Sequence, residues 1–561
     1  MTFSIPEKYT NSNVYVGLAI TIYILLASYR LSDIPLGYDE ALFGNAALNI
    51  DPDLFRFVKY KDFTILLMDY IGALKSWIYY PIFKIFGVSV WTIRFPMVLL
   101  TGISMWFLFK ILADNWQKLI ASIIVLYLAF DASFLYYTKI DTGPNAIELF
   151  IKIVSIYLFL QFVKFNSLKP LLWLSFLLFL GVFNKLNFIW FTNAFYAGIA
   201  FAYRSLLWER FNQFGTLKKV NFLVLTVGSF LLAVGYLLVI NHYFKVFEQK
   251  VGTEKGLLEP LQRVFSLLVD LVGGSGLFVY TYRYGFQEWS SKLTLTQDLV
   301  TWFFIISTTI VTLSILIKQK IAENRFYIFS VVVLTALLAQ IYVTERARYG
   351  WHIFMIYPFV IYVGIYSIQQ LFGLLVKNKR LRVNLTVISV GLVFGQILIT
   401  QYYHLKSMRI GIFRNNSPKI YELANYTKAS NKKFVLINAS CSTQLITLTQ
   451  EPDKYFEVSY LFEVSHKFLT QYAKNIDEFN YKFLKKSEDF LFVTTKIYDS
   501  PARGEVIKYR DYECYNFFDV LEKYHYKAIK VKDIALDNQG YSIYRIVPDE
   551  SYTAILEEQK N

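Results

Sequence analysis

The chain has 561 residues, of which 55% are hydrophobic, 19% are aromatic and only 18% are charged. Soluble domains carry about 25% charged residues, so this composition excludes an ordinary soluble protein and predicts a membrane protein. The formal net charge of +15 does not indicate a nucleic-acid partner, because the basic residues lie mainly in short loops between apolar runs and form no continuous basic face.

Apolar runs suitable for membrane spans follow one another along the chain. A span needs about 20 mainly apolar residues, and about 11 runs reach or approach that length. The first run has no small-residue cleavage site after it and is expected to stay as an anchor. The fifth run is short, and if it formed one span with the sixth, every later loop would change sides. The predicted spans are residues 14–29, 88–111, 119–137, 146–163, 171–183, 188–203, 222–240, 299–317, 327–343, 353–375 and 385–400.

The distribution of lysine and arginine predicts the orientation of these spans. With the N-terminus inside, the short inner loops carry many basic residues and few acids, as the positive-inside rule requires. One such loop contains Lys377, Lys379, Arg380 and Arg382. The long segments 31–87 and 241–298 and the tail from residue 401 then lie on the outer side.

The tail differs from the rest of the chain in composition. It has mixed charge, and it alternates strand-like runs at 433–438 and 489–494 with helix-like stretches, which predicts a small α/β module. The expected fold class is therefore mainly α: a polytopic transmembrane helical bundle over residues 1–400 with a C-terminal extracytoplasmic α/β domain over residues 401–561. Two cysteines, Cys441 and Cys514, allow at most one disulfide bond, and only if they lie close together.

Two adjacent acids stand in the first outer loop, within the stretch Gly37-Tyr-Asp-Glu-Ala-Leu-Phe-Gly44. Asp39 and Glu40 open a predicted helix, so one interpretation is a cap placed favourably at the helix dipole. The other is a functional pair of carboxylates. The two acids alone do not decide between these interpretations.

A third acid, Asp141, lies between the third and fourth spans in Lys139-Ile-Asp-Thr-Gly-Pro-Asn. By itself this motif is typical of a turn and a cap before the next helix. However, Asp39 follows the first span and Asp141 follows the third, so the count of spans places both carboxylates at the outer face. We expect them to meet at one end of the bundle.

The same count places further polar residues at that end. Asn184 and Lys185 follow the fifth span, and Thr344-Glu-Arg-Ala-Arg-Tyr-Gly-Trp-His352 follows the ninth. Ionisable groups at such depth are normally paired or functional. Arg346 and Arg348 are equally compatible with snorkelling or with an ion pair to a neighbouring acid, and His352 with an ordinary interfacial histidine.

These residues together are similar to a known family. The Tyr38-Asp39-Glu40 motif in a long first outer loop, the run 83–96 entering the second span, and an acid between the third and fourth spans resemble the GT-C glycosyltransferases. Within that family, the chain most resembles the branch that contains the protein O-mannosyltransferases and the lipid A aminoarabinose transferase. The resemblance covers residues 14–400 and is firmest over 37–96.

The resemblance implies a glycosyltransferase with a polyprenyl-phosphate sugar donor and an acceptor hydroxyl on a protein, lipid or glycan. Asp39, with Glu40 beside it, would activate the acceptor, and Asp141 is the second acid. Family members often carry Lys-Pro-Pro where this chain has Ile71-Gly-Ala-Leu-Lys75, so a lysine contact to phosphate would come from a displaced Lys75. The expected substrate-binding residues are Lys75, Arg94, Arg346, Arg348, Tyr349 and His352.

Transfer from a lipid phosphate needs a base for the acceptor proton and cations for the departing phosphate. We therefore expect inversion by direct attack, with a carboxylate as the base. No cofactor is certain, but Asp39 and Asp141 could instead hold Mg²⁺ or Mn²⁺, since hard cations prefer carboxylates. The sequence does not separate these roles.

The expected location is the plasma membrane, with a multi-pass chain whose active site and C-terminal domain are extracytoplasmic. Two other classes stay open at this point. A polytopic transporter or lipid flippase would also place charged residues near the outer face, although such proteins tend to show internal repeats and broken spans. A non-catalytic assembly or receptor subunit would tolerate loss of the acidic pair.

Overall fold

The computed structural model of the chain describes most of its residues in two compact units. The first unit comprises Met1–Leu31, Met68–Lys75 and Arg94–Ile410, and the second comprises Ser32–Leu67, Ser76–Ile93 and Gly411–Asn561. The described residues are 12–51, 57–61, 63–68, 70–140, 143–244, 258–273, 286–344, 356–410, 417–437, 441–462, 468–469, 476–495, 507–509, 512–514, 517–536 and 539–550.

The described residues form mainly helices, which confirms the predicted mainly α class. The helices are α1 Ser12–Ser28, α2 Tyr38–Ala47, α3 Leu74–Phe86, α4 Val90–Asn115, α5 Lys118–Phe130, α6 Ala132–Lys139, α7 Asn145–Phe165, α8 Leu168–Asn184, α9 Phe188–Ala202, α10 Arg204–Gln213, α11 Thr216–Phe244, α12 Leu258–Gly273, α13 Phe286–Ile317, α14 Arg325–Thr344, α15 Phe359–Leu375, α16 Lys379–Ile410, α17 Ile420–Ala429, α18 Ser442–Thr449, α19 Ile476–Lys482 and α20 Phe517–Lys523.

The strands lie in two groups. They are β1 Val58–Tyr60, β2 Phe63–Met68, β3 Ile71–Gly72, β4 Lys433–Ile437, β5 Tyr455–Phe462, β6 Phe468–Leu469, β7 Phe490–Thr495, β8 Ile507–Tyr509, β9 Tyr512–Cys514, β10 Tyr526–Leu536 and β11 Gln539–Pro548. The strands from β4 onward form one eight-stranded mixed sheet with the order β10-β11-β7-β4-β5-β9-β8, and β6 pairs with β5.

The first unit is a bundle of apolar helices. Within the described residues, six helices are long and apolar enough to cross a membrane, and a seventh crossing is added if the bent pair α5 and α6 forms one span. Four shorter apolar helices, α1, α8, α9 and α15, accompany them. Each predicted span falls on a helix, except that the third falls on two helices. The last helix runs to Ile410, ten residues beyond the predicted end of the span at residue 400.

A buried carboxylate forms hydrogen bonds at the break in the third span. The backbone bends by 67° between α5 and α6, and Asp131 stands at the bend. Its Oδ1 accepts a hydrogen bond of 3.0 Å from the backbone N–H of Phe134, which caps α6. Its Oδ2 accepts a hydrogen bond of 2.9 Å from the hydroxyl of Tyr357. Both carboxylate oxygens of Asp131 therefore stabilise the bend through hydrogen bonds within the bundle.

The sheet of the second unit is covered on both faces. Phe434 and Leu436 of β4 enter one apolar cluster, whereas Val435 and Ile437 enter the cluster on the opposite face. Strand β4 pairs in parallel with both β5 and β7. A parallel strand buried on both faces has a continuous apolar sequence, which explains the run Lys433-Phe-Val-Leu-Ile437.

Helix α2, from the predicted first outer loop, is packed against α18 of the tail. The side chain of Asn45 donates a hydrogen bond of 3.1 Å to the Thr443 carbonyl. The Thr447 hydroxyl lies 3.0 Å from the Ala41 carbonyl and 2.7 Å from Oδ1 of Asn45. The sequence assigned residues 31–87 and 401–561 to different domains. These buried hydrogen bonds lie within the second unit, which contains most of that loop together with the tail.

The cysteine that precedes the first residue of α18, Cys441, is a buried free thiol. Cys441 borders the apolar cluster below β4. Burial raises the pKa of the Cys441 thiol well above its ordinary value, and the nearby carboxylate of Glu457 raises it further. Cys441 therefore forms no disulfide bond with Cys514, and it stays protonated at neutral pH.

Replacing Gly44 tests the contact between α2 and α18. A Cβ at Gly44 would lie 2.7 Å from Cγ2 of Thr447, whose hydroxyl is held in place by hydrogen bonds. We expect Gly44→Ala to destabilise the protein by about 1–3 kcal/mol through overpacking. Gly17→Ala is the control, because a Cβ there meets nothing within 4 Å and Ala normally stabilises a helix by about 0.5–1 kcal/mol relative to Gly. An increase in thermal midpoint for both variants would contradict the packing.

Alkylation tests the environment of Cys441. In a Cys514→Ser background, we expect maleimide to label the native protein very slowly at about pH 8, because a protonated, buried thiol is a poor nucleophile. Denaturation lowers the pKa toward about 8.5 and exposes the thiol, so labelling should then be complete. Mass spectrometry of labelled protein measures both rates. Rapid labelling of the folded protein would contradict this burial.

Candidate active site

The two first-loop acids lie at the first turn of α2 and differ in their surroundings. The carboxylate of Glu40 is buried and accepts a hydrogen bond of 2.8 Å from the backbone N–H of Gly37. This bond caps the helix, as the first of the two interpretations predicted. Asp39 is half-buried at the same helix end, where the helix dipole favours a negative charge.

Helix α2 is held rigidly within the second unit. Besides its bonds to α18, the carbonyl of Phe43 accepts a hydrogen bond of 2.9 Å from the Ser76 hydroxyl of α3. The phenol of Tyr421 donates a hydrogen bond of 2.6 Å to the Ile34 carbonyl just before the helix. Asp39 is therefore carried by an element that is anchored at several points.

Several predicted site residues lie outside the described residues. These are Asp141, Arg346, Arg348, Tyr349 and His352. The expected meeting of Asp39 and Asp141 therefore stays a prediction. Besides Asp39 and Glu40, the described ones are Lys75, which is fully buried at the start of α3, and Arg94, which is buried in α4.

The described residues around position 141 include a buried lysine. Gly143 has a φ of +76°, and a Cβ there would lie 3.1 Å from Nζ of Lys185, so glycine is required for the turn and for this close approach. Lys185 lies between α8 and α9, where its backbone bridges to Ile71. The ammonium group of Lys185 therefore lies close to the turn at Gly143. Lys185 was not among the predicted site residues.

Three buried basic side chains interact electrostatically in the first unit. Arg94 of α4, Lys139 of α6 and His404 of α16 are each only 1% exposed. Lys139 lies within electrostatic reach of both Arg94 and His404. The guanidinium of Arg94 also donates a hydrogen bond of 2.7 Å to the Leu31 carbonyl. Together these groups form what we call the basic cluster, defined by Arg94, Lys139 and His404.

The ammonium group of Lys139 has an unusual partner. Its polar contact among the described residues is the thioether sulfur of Met408, at 3.8 Å, and it forms no salt bridge with a described carboxylate. A thioether is a weak acceptor, and an uncompensated buried charge is costly. An anion bound beside Lys139 would remove this cost.

Helix α16 presents a polar face to the same region. Gln396, Thr400, His404 and Met408 recur every four residues and are buried, and Gln401 lies next to them. Both side-chain polar atoms of Gln396 and of Gln401 have no hydrogen-bond partner among the described residues. Buried amides normally find partners, so this face is suited to a polar ligand.

A second polar network lies deeper in the first unit. Lys152 of α7 donates a hydrogen bond to the carbonyl of Tyr357, and Glu148 lies one turn before it within electrostatic reach. The hydroxyl of Tyr357 reaches Asp131 at the bend between α5 and α6. This network ties together three parts of the bundle and is best explained as structural support.

The sequence interpretation missed most of these residues, although signals were present. Lys139 stands two positions before Asp141, and Glu148 and Lys152 interrupt an apolar run, where charged residues are rare. His404 was assigned to the tail because the last span was predicted to end at residue 400. No group of three or more His, Cys, Asp or Glu side chains within the described part of the chain could hold a metal ion.

The comparisons with known proteins agree with this architecture. Residues 73–238 match the model of the dolichyl-phosphate-mannose-protein mannosyltransferase family. This stretch contains Lys75, Arg94 and Lys139 but begins after Asp39, so it covers only the end of the region where the resemblance was expected to be firmest. No curated protein sequence matches the chain.

Two solved structures share the fold. The oligosaccharyltransferase AglB from Archaeoglobus fulgidus, in complex with an inhibitory peptide and a dolichol-phosphate, is 12% identical, with a TM-score of 0.50 over 88% of this chain and 70% of that chain. ArnT from Cupriavidus metallidurans in the apo state is 11% identical, with a TM-score of 0.51 over 95% of this chain and 97% of that chain. The predicted resemblance is confirmed to this extent: residues 73–238 match the dolichyl-phosphate-mannose-protein mannosyltransferase family, the chain shares its fold with these two solved transferases, and its long apolar helices are those of a multi-pass membrane protein.

Proposed function

We propose that this protein transfers a sugar from a polyprenyl-phosphate donor to an acceptor hydroxyl, with inversion at the anomeric carbon. The observation that carries the proposal is the basic cluster, in which buried Lys139 has only a thioether contact among the described residues. A lipid-linked phosphate supplies the missing negative charge. The family match favours glycosyl transfer over the alternatives of a transporter, a flippase or a non-catalytic subunit.

The basic cluster is suited to a leaving phosphate. During transfer the bond between the anomeric carbon and the phosphate oxygen breaks, and negative charge grows on that oxygen. Arg94, Lys139 and His404 are fixed by burial in three helices, so they stabilise this charge without reorganisation. The predicted Lys75, Arg346, Arg348, Tyr349 and His352 stay further candidates for donor binding.

The acceptor hydroxyl needs a base when it attacks the anomeric carbon. We assign this role to Asp39, which is half-buried on the anchored helix α2, with Asp141 as the second acid. Glu40 is better explained as the residue that positions the helix, because its carboxylate is used by the Gly37 N–H. A divalent cation held by Asp39 and Asp141 stays the alternative to direct base catalysis.

The membrane arrangement follows from the same proposal. We propose that the six long apolar helices, the bent pair and the four shorter helices each cross the membrane once, which would give the predicted 11 crossings. The positive-inside rule then places Lys379 and Arg382 in the cytoplasm. The active site and the sheet of the second unit face the outside of the plasma membrane.

Substitution of Asp39 tests the base. We expect Asp39→Asn to lower kcat for transfer by about 10²–10⁴-fold, because the carboxamide cannot take a proton. Transfer from a radiolabelled polyprenyl-phosphate sugar in proteoliposomes provides the measurement. Glu40→Gln is the matched comparison, since glutamine can still accept the hydrogen bond from Gly37, and most activity should remain. If Asp39→Asn transferred sugar at the wild-type rate, the assignment would be wrong.

Substitution of Lys139 tests the phosphate site. Lys139→Met keeps the length of the side chain and removes the charge, so we expect a folded protein whose donor affinity falls about 10–100-fold, the loss of a charged hydrogen bond of about 1.5–3 kcal/mol. Binding of polyprenyl phosphate measures this loss. Lys110→Met, at an exposed lysine of α4, is the control. If the two variants bound polyprenyl phosphate with equal affinity, the assignment of Lys139 to the phosphate site would be wrong.

A further inference from the structure

A long groove runs along the membrane-spanning surface of the first unit. It encloses about 1220 Å³ between α5, α15 and α16. Its walls are mainly apolar and include Ile120 and Ile123 of α5, Leu374 of α15 and Val387 and Leu398 of α16. Val387 and Leu398 are also exposed at the surface, so the groove opens sideways toward lipid.

One end of the groove is cationic. Lys379 and Arg382 line it at the first turn of α16, where the helix dipole adds positive potential. Neither side chain forms a salt bridge with a described residue. A Cβ at Gly373 of α15 would lie 4.0 Å from Nη1 of Arg382, so the guanidinium reaches across toward α15. Glu323 is the acidic residue among those that line the groove, and it forms a salt bridge of 3.2 Å with Lys320.

Polar groups that do not titrate complete the same end. The indole N–H of Trp116 donates a hydrogen bond of 3.0 Å to Oε1 of Gln369, and both residues line the groove together with Gln117. The amide and indole groups can form hydrogen bonds with the ester and glycerol region of a phospholipid, next to the two cations. Tryptophan is also typical of the membrane interface, where this region of the lipid lies. The charge of the groove end is therefore complementary to an anionic headgroup.

The apolar part of the groove has room for an acyl chain. From Val383 to Leu398 the wall of α16 extends about 22 Å at 1.5 Å per residue, which exceeds the depth of one leaflet, about 15 Å. Gly391 and Gly395 face this part, and a Cβ at either position meets nothing within 4 Å. An acyl chain whose headgroup lies at the cationic end can therefore extend along α16 from Val383 to Leu398.

We propose that this groove binds one anionic phospholipid from the leaflet on the side of Lys379 and Arg382. The two cations hold the phosphate, and one acyl chain lies along α16 past Gly391 and Gly395. The occupant is a lipid of the bilayer itself rather than the donor, because the cationic end of the groove and the basic cluster lie at opposite ends of α16. This inference does not depend on the proposed transfer reaction.

Two pairs of variants test the headgroup contact. We expect Lys379→Gln with Arg382→Gln to weaken binding of phosphatidylglycerol to the full-length protein about 30-fold, at about 1 kcal/mol for each basic residue. Native mass spectrometry of the delipidated protein, titrated with phosphatidylglycerol or phosphatidylcholine, measures the affinities. Lys377→Gln with Arg380→Gln is the matched control, because these cations belong to the same loop but do not line the groove. An equal loss in both pairs would show general attraction to anionic lipid and would overturn the site.

A groove-filling variant tests the acyl chain. Gly391→Leu places a side chain in open space, so the protein should fold normally while phosphatidylglycerol binding falls at least about tenfold, by loss of apolar contact. Gly228→Leu in α11 is the control, since a Cβ there also meets nothing within 4 Å. If Gly391→Leu abolished binding of polyprenyl phosphate and left phosphatidylglycerol unaffected, the groove would belong to the donor and the proposal would be wrong.

Discussion

The cost of burying a cation in an apolar helical bundle is the constraint on which the candidate site depends. Lys139 and Arg94 are almost fully buried, and burying a charged group without compensation is costly. Lys152 obtains it from the Tyr357 carbonyl and from nearby Glu148. Lys139 has only the Met408 sulfur among the described residues, so the surroundings of the two lysines differ, and this difference underlies the proposal that Lys139 contacts an anionic ligand.

The anchoring of α2 links the predicted base to the folding of the tail. Asn45 and Thr447 form buried hydrogen bonds between α2 and α18, and α18 belongs to the cluster that covers one face of the sheet. A catalytic carboxylate must be held within a fraction of an ångström of its working position. If Asp39 is the base, as proposed, the sheet and α18 support the helix that carries it.

Much of the fold was predictable because hydrophobicity is a local property. The apolar runs identified the helices of the first unit, and the strand-like runs at 433–438 and 489–494 correspond to β4 and β7. Local hydrophobicity did not predict the details that polar residues decide. Asp131 lies where the third span bends between two helices. The count of apolar residues along the sequence did not predict this bend. The buried face of α16 continues past residue 400 through His404 and Met408, although the last span was predicted to end at residue 400.

The sequence by itself determined that the chain is a membrane protein, where its helices lie, and that acids at the start of α2 resemble a glycosyltransferase motif. Only the tertiary structure decided that α2 belongs with the tail, that Glu40 caps its helix, and that Lys139 and His404 join Arg94. The physical reason is distance along the chain. Asn45 and Thr443 are 398 positions apart and Lys139 and Met408 are 269 apart, and no local pattern records which distant polar groups share a buried space.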